Sequence, residues 1–179
     1  KVPEAYDNPA SNVPWHFAAI REANYFIETV VPRFEKGEIE GSEVNIKHYI
    51  GEMYFLRAKN YLSKLETFGD FPIIKNTLPD ENEPLTQASK REPRHKVARF
   101  ILEDLDQTIG LLTNNISGGK NRITKNAALL LKSRAALFEA SWLTYHRGTA
   151  LVPGGSGWPG KAEDIADFNI DTEIAFFLK

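Results

Sequence analysis

The side chains able to carry chemistry are scattered along this chain. His16, His48, His95 and His146 are far apart, and none sits in the H-E-x-x-H frame that places two imidazoles on one helix face around zinc. Cysteine is absent, which excludes disulfides, thiolate metal sites and a Cys nucleophile. Gly154-Gly155-Ser156-Gly157 is glycine-rich, but it lacks the Gly-Lys-Ser/Thr ending and the preceding strand of a phosphate loop. Asp80-Glu81-Asn82-Glu83 offers carboxylates at a spacing that fits no calcium loop. This stretch and the basic Lys90-Arg91-Glu92-Pro93-Arg94-His95-Lys96 read as solvated charge. A helical glycoside hydrolase would need two opposed carboxylates in a cleft, and no such pair stands out. The expectation is a binding protein with no catalytic residue, metal or cofactor.

Binding chemistry has one better candidate. Trp158 lies in Gly157-Trp158-Pro159-Gly160, where no helical stripe demands an indole. A flat indole on a loop stacks well against the apolar face of a sugar ring, with Tyr145 and His146 nearby to bond hydroxyls. The alternative is that Trp158 pins its loop to the scaffold. Trp15, at a helix start after an irregular stretch, is open to the same two readings, core packing or ligand contact. Tyr61, Phe68, Phe138 and Trp142 follow helical periodicity and are assigned to the core.

The elements that must position these residues are helices. Apolar spacing predicts helices over about 15–31, 45–67, 93–112 and 124–145, and a fifth beginning after Asp171, which is read as its cap. Pro14 suits the start of the first, and Pro32 with Gly37 marks its end or a kink. Gly69 is placed to end the second in the left-handed conformation. Pro93 fits the first turn of the third, and Thr124 is a good N-cap for the fourth. The fourth is rich in small residues (Ala127, Ala128, Ala135, Ala136, Ala140), which permit close helix approach. Arg21, Arg57 and Arg134, on largely apolar helices, are expected to meet carboxylates or helix-end carbonyls inside the scaffold. Asn24 reads as a buried hydrogen-bonder. The fold class is all-α.

The second and fourth helices repeat each other. Tyr54, Arg57, Ala58, Tyr61, Leu65 and Phe68 align at a constant offset with Leu131, Arg134, Ala135, Phe138, Trp142 and Tyr145. That spacing echoes the first helix of a tetratricopeptide repeat, whose small residue admits the partner helix. Pairing second with third and fourth with fifth gives two hairpins in a short α-solenoid. The repeat exceeds the usual ~34 residues, and the excess falls in long loops at 70–92 and 146–170. The length of 179 residues suits one helical region. A charged fraction of 26% with a net charge of −2 leaves no basic surplus for a nucleic-acid partner. Lys1-Val2-Pro3-Glu4 is no signal peptide, so a leader was removed or the chain is a fragment. An apolar face near Phe176 and Phe177 is expected to remain uncovered.

Four blocks resemble the SusD/RagB family of nutrient-binding proteins. They are Ala19-Ile20-Arg21-Glu22-Ala23-Asn24; Phe55-Leu56-Arg57-Ala58-Lys59-Asn60-Tyr61 with Phe68-Gly69-Asp70-Phe71-Pro72-Ile73-Ile74; Phe100-Ile101-Leu102-Glu103-Asp104-Leu105; and Arg122-Ile123-Thr124-Lys125-Asn126-Ala127-Ala128 leading into Ser133-Arg134-Ala135-Ala136-Leu137. The resemblance implies a subunit, lipid-anchored on the outer surface of the outer membrane, that binds oligosaccharide or another nutrient. Its partner would be a SusC-like, TonB-dependent transporter. The family's ligand site is built largely by loops and a C-terminal region, and its members run to several hundred residues. This chain would then be the N-terminal to middle portion, without the lipidated Cys. A tetratricopeptide-type adaptor for protein or peptide is the alternative.

Overall fold

The computed structural model describes residues 15–114 and 121–179. Helices take up more than half of the chain: α1 (Ala18–Glu35), α2 (Glu43–Phe68), α3 (Asn82–Ala88), α4 (Arg94–Leu111), α5 (Lys125–Tyr145) and α6 (Ile170–Phe177). Among the described residues there is no strand, only an isolated antiparallel bridge between Phe71 and Glu92. The all-α expectation holds. So does the pairing, because α2 packs on α4 and α5 on α6, with α4 against α5 and α1 on the outside of α2. Apart from the short α3, each helix mainly meets its neighbours in this order, which is the quasi-one-dimensional logic of a solenoid.

The boundaries show which local signals competed. α1 starts after Trp15 and Phe17, because both rings join an aromatic cluster: Trp15 meets Phe68 at 4.9 Å and Phe71 at 4.6 Å, and Phe17 stacks on Phe71 at 5.0 Å. Pro32 does not end α1. The helix runs on for a turn to Glu35, and Gly37, at φ 71°, closes it, with the N–H groups of Lys36, Gly37 and Glu38 bonding back to the carbonyls of Pro32, Phe34 and Arg33. The expectation on Pro14 lies outside the described residues. α2 is capped by Ser42 and stopped by Gly69, whose φ of 71° is positive as expected, although its ψ of −103° is not left-handed helical. Pro93 is the N-cap of α4 and not part of its first turn. Thr124 caps α5 through Ala127 N–H as expected. The cap of α6 is Asn169 and not Asp171: its Oδ1 accepts from Thr172 N–H at 3.0 Å. The loop expected over 70–92 contains α3, a short helix with no buried residue, too short and exposed to leave a clear apolar period.

The core runs through the stack as Ile20, Tyr61, Leu65, Phe71, Val97, Ile101, Leu105 and Leu143. On α2, Tyr49 and Leu56 face outward, while Ala58 and Leu62 take inner positions. Gly51 lets α4 come close, since a Cβ there would stand 3.0 Å from Leu111 and Leu112 side chains. Buried ion pairs join the layers. Arg57 holds Asp104 through two bonds of 2.8 Å and donates to Asn24 at 2.7 Å, so Arg57 and Asn24 do what their sequence setting suggested. Arg94 clamps Glu139 of α5, and Arg99 clamps Glu173 of α6. The basic stretch at 90–96 is thus only partly solvated. Arg94 and His95 are 2% and 3% exposed because the first turn of α4 faces α5 and the 165–170 segment. Arg21 and Arg134 lie on the surface instead, Arg134 reaching Glu66 at 3.5 Å. On the outer side of α5 and α6, Leu130, Leu137, Phe176 and Leu178 are exposed, while Phe177 is buried.

Candidate functional site

The most developed concavity is a cleft of about 620 Å³ where the end of α2 (Leu65–Phe68), the 90–94 segment, Trp142 of α5 and the 150–164 loop converge. Gly69 makes this geometry possible. Its positive φ turns the chain sharply after α2, and a side chain there would press on the Arg94 guanidinium at 3.3 Å. The turn delivers Asp70, whose Oδ1 accepts from the backbone N–H of Arg94 at 2.8 Å and whose Oδ2 accepts from the indole N–H of Trp158 at 2.9 Å. Burial pushes the Asp70 carboxyl above the ordinary carboxylate range, and those two N–H donors with the nearby Arg94 and Arg91 charges oppose the shift. Asp70 therefore ties the second loop to the α2–α4 junction.

The loop itself is ordered by further attachments. Trp142 donates its indole N–H to the Leu151 carbonyl at 3.0 Å, and Lys90 meets Asp164 at 2.5 Å. Gly148, Gly154 and Gly157 take positive φ at its bends. Gly160 lies directly against the Trp158 ring, where a Cβ would come within 2.1 Å of Cη2. The rest of that partly exposed indole forms cleft wall.

The sequence candidates fare differently in space. Trp158 lines the cleft and is also fastened to Asp70, so its two readings meet in one side chain. His146 packs on the Trp142 ring at 4.3 Å, and the Arg94 guanidinium lies over that same ring at 4.2 Å. Tyr145, 85% exposed, is not among the cleft-lining residues. Trp15 packs on Phe68 and Phe71, with the Arg91 guanidinium 4.7 Å from its ring, so it backs residues that line the cleft. Trp142 itself, which periodicity assigns to the core, is only partly buried and lines the cleft. Asp70, Arg94 and Asp164 carried no sequence signal of a shared site, because they come from three segments that meet only in the fold. Among the described residues no group of His, Cys, Asp or Glu is placed to hold a metal, and no helix is long and apolar enough to cross a membrane.

Residues 3–137 match the family model of SusD-like proteins, described as starch-binding and associating with the outer membrane. The chain belongs to the SusD-like family. A SusD-like protein from Bacteroides fragilis is 28% identical, with a TM-score of 0.58 over 69% of this chain and 22% of its own. A laminarin-binding SusD-like protein is 22% identical, with a TM-score of 0.54 over 66% of this chain and 24% of its own. The surface glycan-binding protein A of Bacteroides fluxus is 24% identical, with a TM-score of 0.53 over 72% of this chain and 26% of its own. The chain thus spans about a quarter of the length of these SusD-like structures. No curated protein matches it.

Proposed function

We propose that this chain is the helical part of a longer, non-catalytic subunit that captures glycans at the outer membrane. The observation that carries the reading is the SusD-like match over 3–137, a family described as starch-binding. Proteins sharing the fold include one that binds laminarin and one crystallised with xylogluco-oligosaccharide. The complete protein is lipid-anchored on the outer surface and works with a SusC-like, TonB-dependent transporter. The uncovered Leu130 and Leu137 of α5 with Phe176 of α6, and relatives roughly three times as long, support a further packed segment in that protein.

Within this chain the ligand contacts fall to Trp158 and Trp142, which line the cleft, with His146 packed on the Trp142 ring. Trp15 acts through Arg91, and the exposed Tyr145 is offered as a further contact outside the cleft lining. A binding role without catalysis is supported by the state of the carboxylates. Asp70 is fastened by two N–H donors and Asp164 by Lys90, so these two carboxylates of the cleft wall serve to hold the loop. Calorimetric titration of the protein with a glycan panel, beside co-purification with a TonB-dependent transporter, tests the reading. Glycan binding without turnover is the expected result. Glycan hydrolysis, or a peptide ligand with no glycan, would replace it with an enzyme or a tetratricopeptide-type adaptor.

A further inference from the structure

Two tryptophans line the cleft, and neither holds its own position. Trp142 donates its indole N–H to the Leu151 carbonyl at 3.0 Å, and Trp158 donates its indole N–H to Asp70 Oδ2 at 2.9 Å. With both N–H groups engaged by the protein, the two residues offer a ligand the apolar surface of their rings. What a sugar gains there depends on rings that are already fixed, because each ring ordered on binding costs affinity.

Arg94 reaches both rings. Its guanidinium lies 4.2 Å from the centre of the Trp142 ring. Its backbone N–H donates at 2.8 Å to Asp70 Oδ1, on the carboxylate that holds Trp158. Burial pushes the Asp70 carboxyl up, and the Arg94 charge is among the influences that oppose the shift, favouring the form that accepts both bonds. The guanidinium is itself fixed by Glu139, which is fully buried and accepts from Nε at 3.0 Å and from Nη2 at 2.8 Å. Glu139 does not line the cleft. Gly69 leaves room for the arrangement, since a Cβ there would stand 3.3 Å from Arg94 Nη1. For stability alone an ion pair this deep is a poor device, because desolvation offsets its attraction and apolar side chains of similar volume hold as well or better. A planar cation in a fixed orientation is what apolar side chains cannot supply.

We propose that Arg94 and Glu139 are the positioning residues of the cleft: the pair sets the Trp142 and Trp158 rings before a ligand arrives, and glycan affinity depends on it. The inference rests on the glycan-capture reading above. It assigns to a buried ion pair between α4 and α5 a part in binding that neither of its helices reveals alone.

The test sets this pair against the other buried one. Arg94→Met with Glu139→Leu, and Arg57→Met with Asp104→Leu, each remove a whole ion pair and strand no charge. Arg57 and its partners Asp104, Asn24 and Lys75 lie outside the cleft lining. The readouts are the indole N–H signals in nuclear magnetic resonance spectra, one for each of the 3 tryptophans, and calorimetric titration with laminari-oligosaccharides and xylogluco-oligosaccharides. In the Arg94/Glu139 variant the Trp142 and Trp158 signals are expected to shift while that of Trp15 stays, and affinity to fall by about tenfold. The Arg57/Asp104 variant should keep its indole signals and bind within about twofold of wild type. Arg94→Lys is the second variant: it keeps a cation for Glu139 without the planar fork, so the Trp142 signal should shift and affinity fall by about threefold, even where the double replacement fails to fold. Unchanged indole signals in the Arg94 variants, or affinity lost equally in the two double variants, return the pair to the scaffold and overturn the inference while glycan capture stands. Shifted indoles with wild-type affinity overturn it as well. A wild-type protein that binds neither probe removes the glycan reading and the inference with it.

Discussion

Removing Asp104 is the sharpest test of how the helical stack is held. Arg57 is buried at 5% exposure and grips Asp104 through Nε and Nη2, both at 2.8 Å, while its Nη1 serves Asn24 and the Lys75 carbonyl. Burial pushes the Asp104 carboxyl up and the guanidinium opposes it, so the pair stays ionic only as a pair. Asp104→Ala leaves a guanidinium in the α2–α4 interface without its counter-charge. Breaking a buried pair from one side costs about 3–5 kcal/mol. For a domain of this size that lowers the melting temperature by roughly 6–20 °C. Urea denaturation and calorimetric melts measure it. The double replacement Arg57→Met with Asp104→Leu should recover much of the loss, because no charge remains to strand. Arg134, the repeat-related partner of Arg57, pairs with Glu66 at 3.5 Å on the surface, so Arg134→Ala should cost no more than about 0.5 kcal/mol. A loss under about 1 kcal/mol for Asp104→Ala, or a double variant as unstable as the sum of the singles, would refute the argument.

Acid should destabilise the protein through His95. Its ring packs on Phe168 at 4.6 Å with Nδ1 lacking a partner, and desolvation lowers its pKa from 6.5 to about 4, with Lys96 and Arg99 adding to the shift and Glu173 and Asp167 opposing it. The unfolded chain therefore binds the proton first. The stability at stake is fully present above about pH 6.5 and is lost as pH falls towards 4, to a total of about 3 kcal/mol. His95→Leu should flatten that part of a stability–pH profile, and an unchanged slope would dismiss His95 as its source. Gly160→Ala should drive the Trp158 ring off its seat, since the new Cβ would stand 2.1 Å from Cη2. Near-ultraviolet circular dichroism and tryptophan emission should then change while far-ultraviolet helicity stays. Thr124→Ala should cost about 1 kcal/mol through the lost bond to Ala127 N–H, read by denaturant melts.

Periodicity and capping residues made most of the scaffold legible in the sequence. Gly69 and Thr124 act within one turn of themselves, and Ala58 and Ala135 signal the helix-on-helix contact by their small size alone. The same local rules misplaced what depends on distant partners. Trp15 sits before α1 because Phe68 and Phe71 offer its ring a packed site. Arg94 and His95 are buried although a run of charge reads as solvated, because α5 supplies Glu139 and the 165–170 segment supplies Phe168.

The helical class, the repeat and the family blocks were properties of the sequence alone, since each is written in spacings of a few residues along one chain. The cleft was not. Trp158 stood out as an indole without a stripe, but whether it had a partner depended on Asp70, 88 positions away, and on the positive φ of Gly69 that aims that carboxylate. The pairing of Lys90 with Asp164 and of Arg94 with Glu139 likewise spans separate elements. Short-range propensities act on neighbours in sequence, whereas a cleft is made where remote segments are brought together by burying a shared core, and only the folded chain decides which side chains meet there.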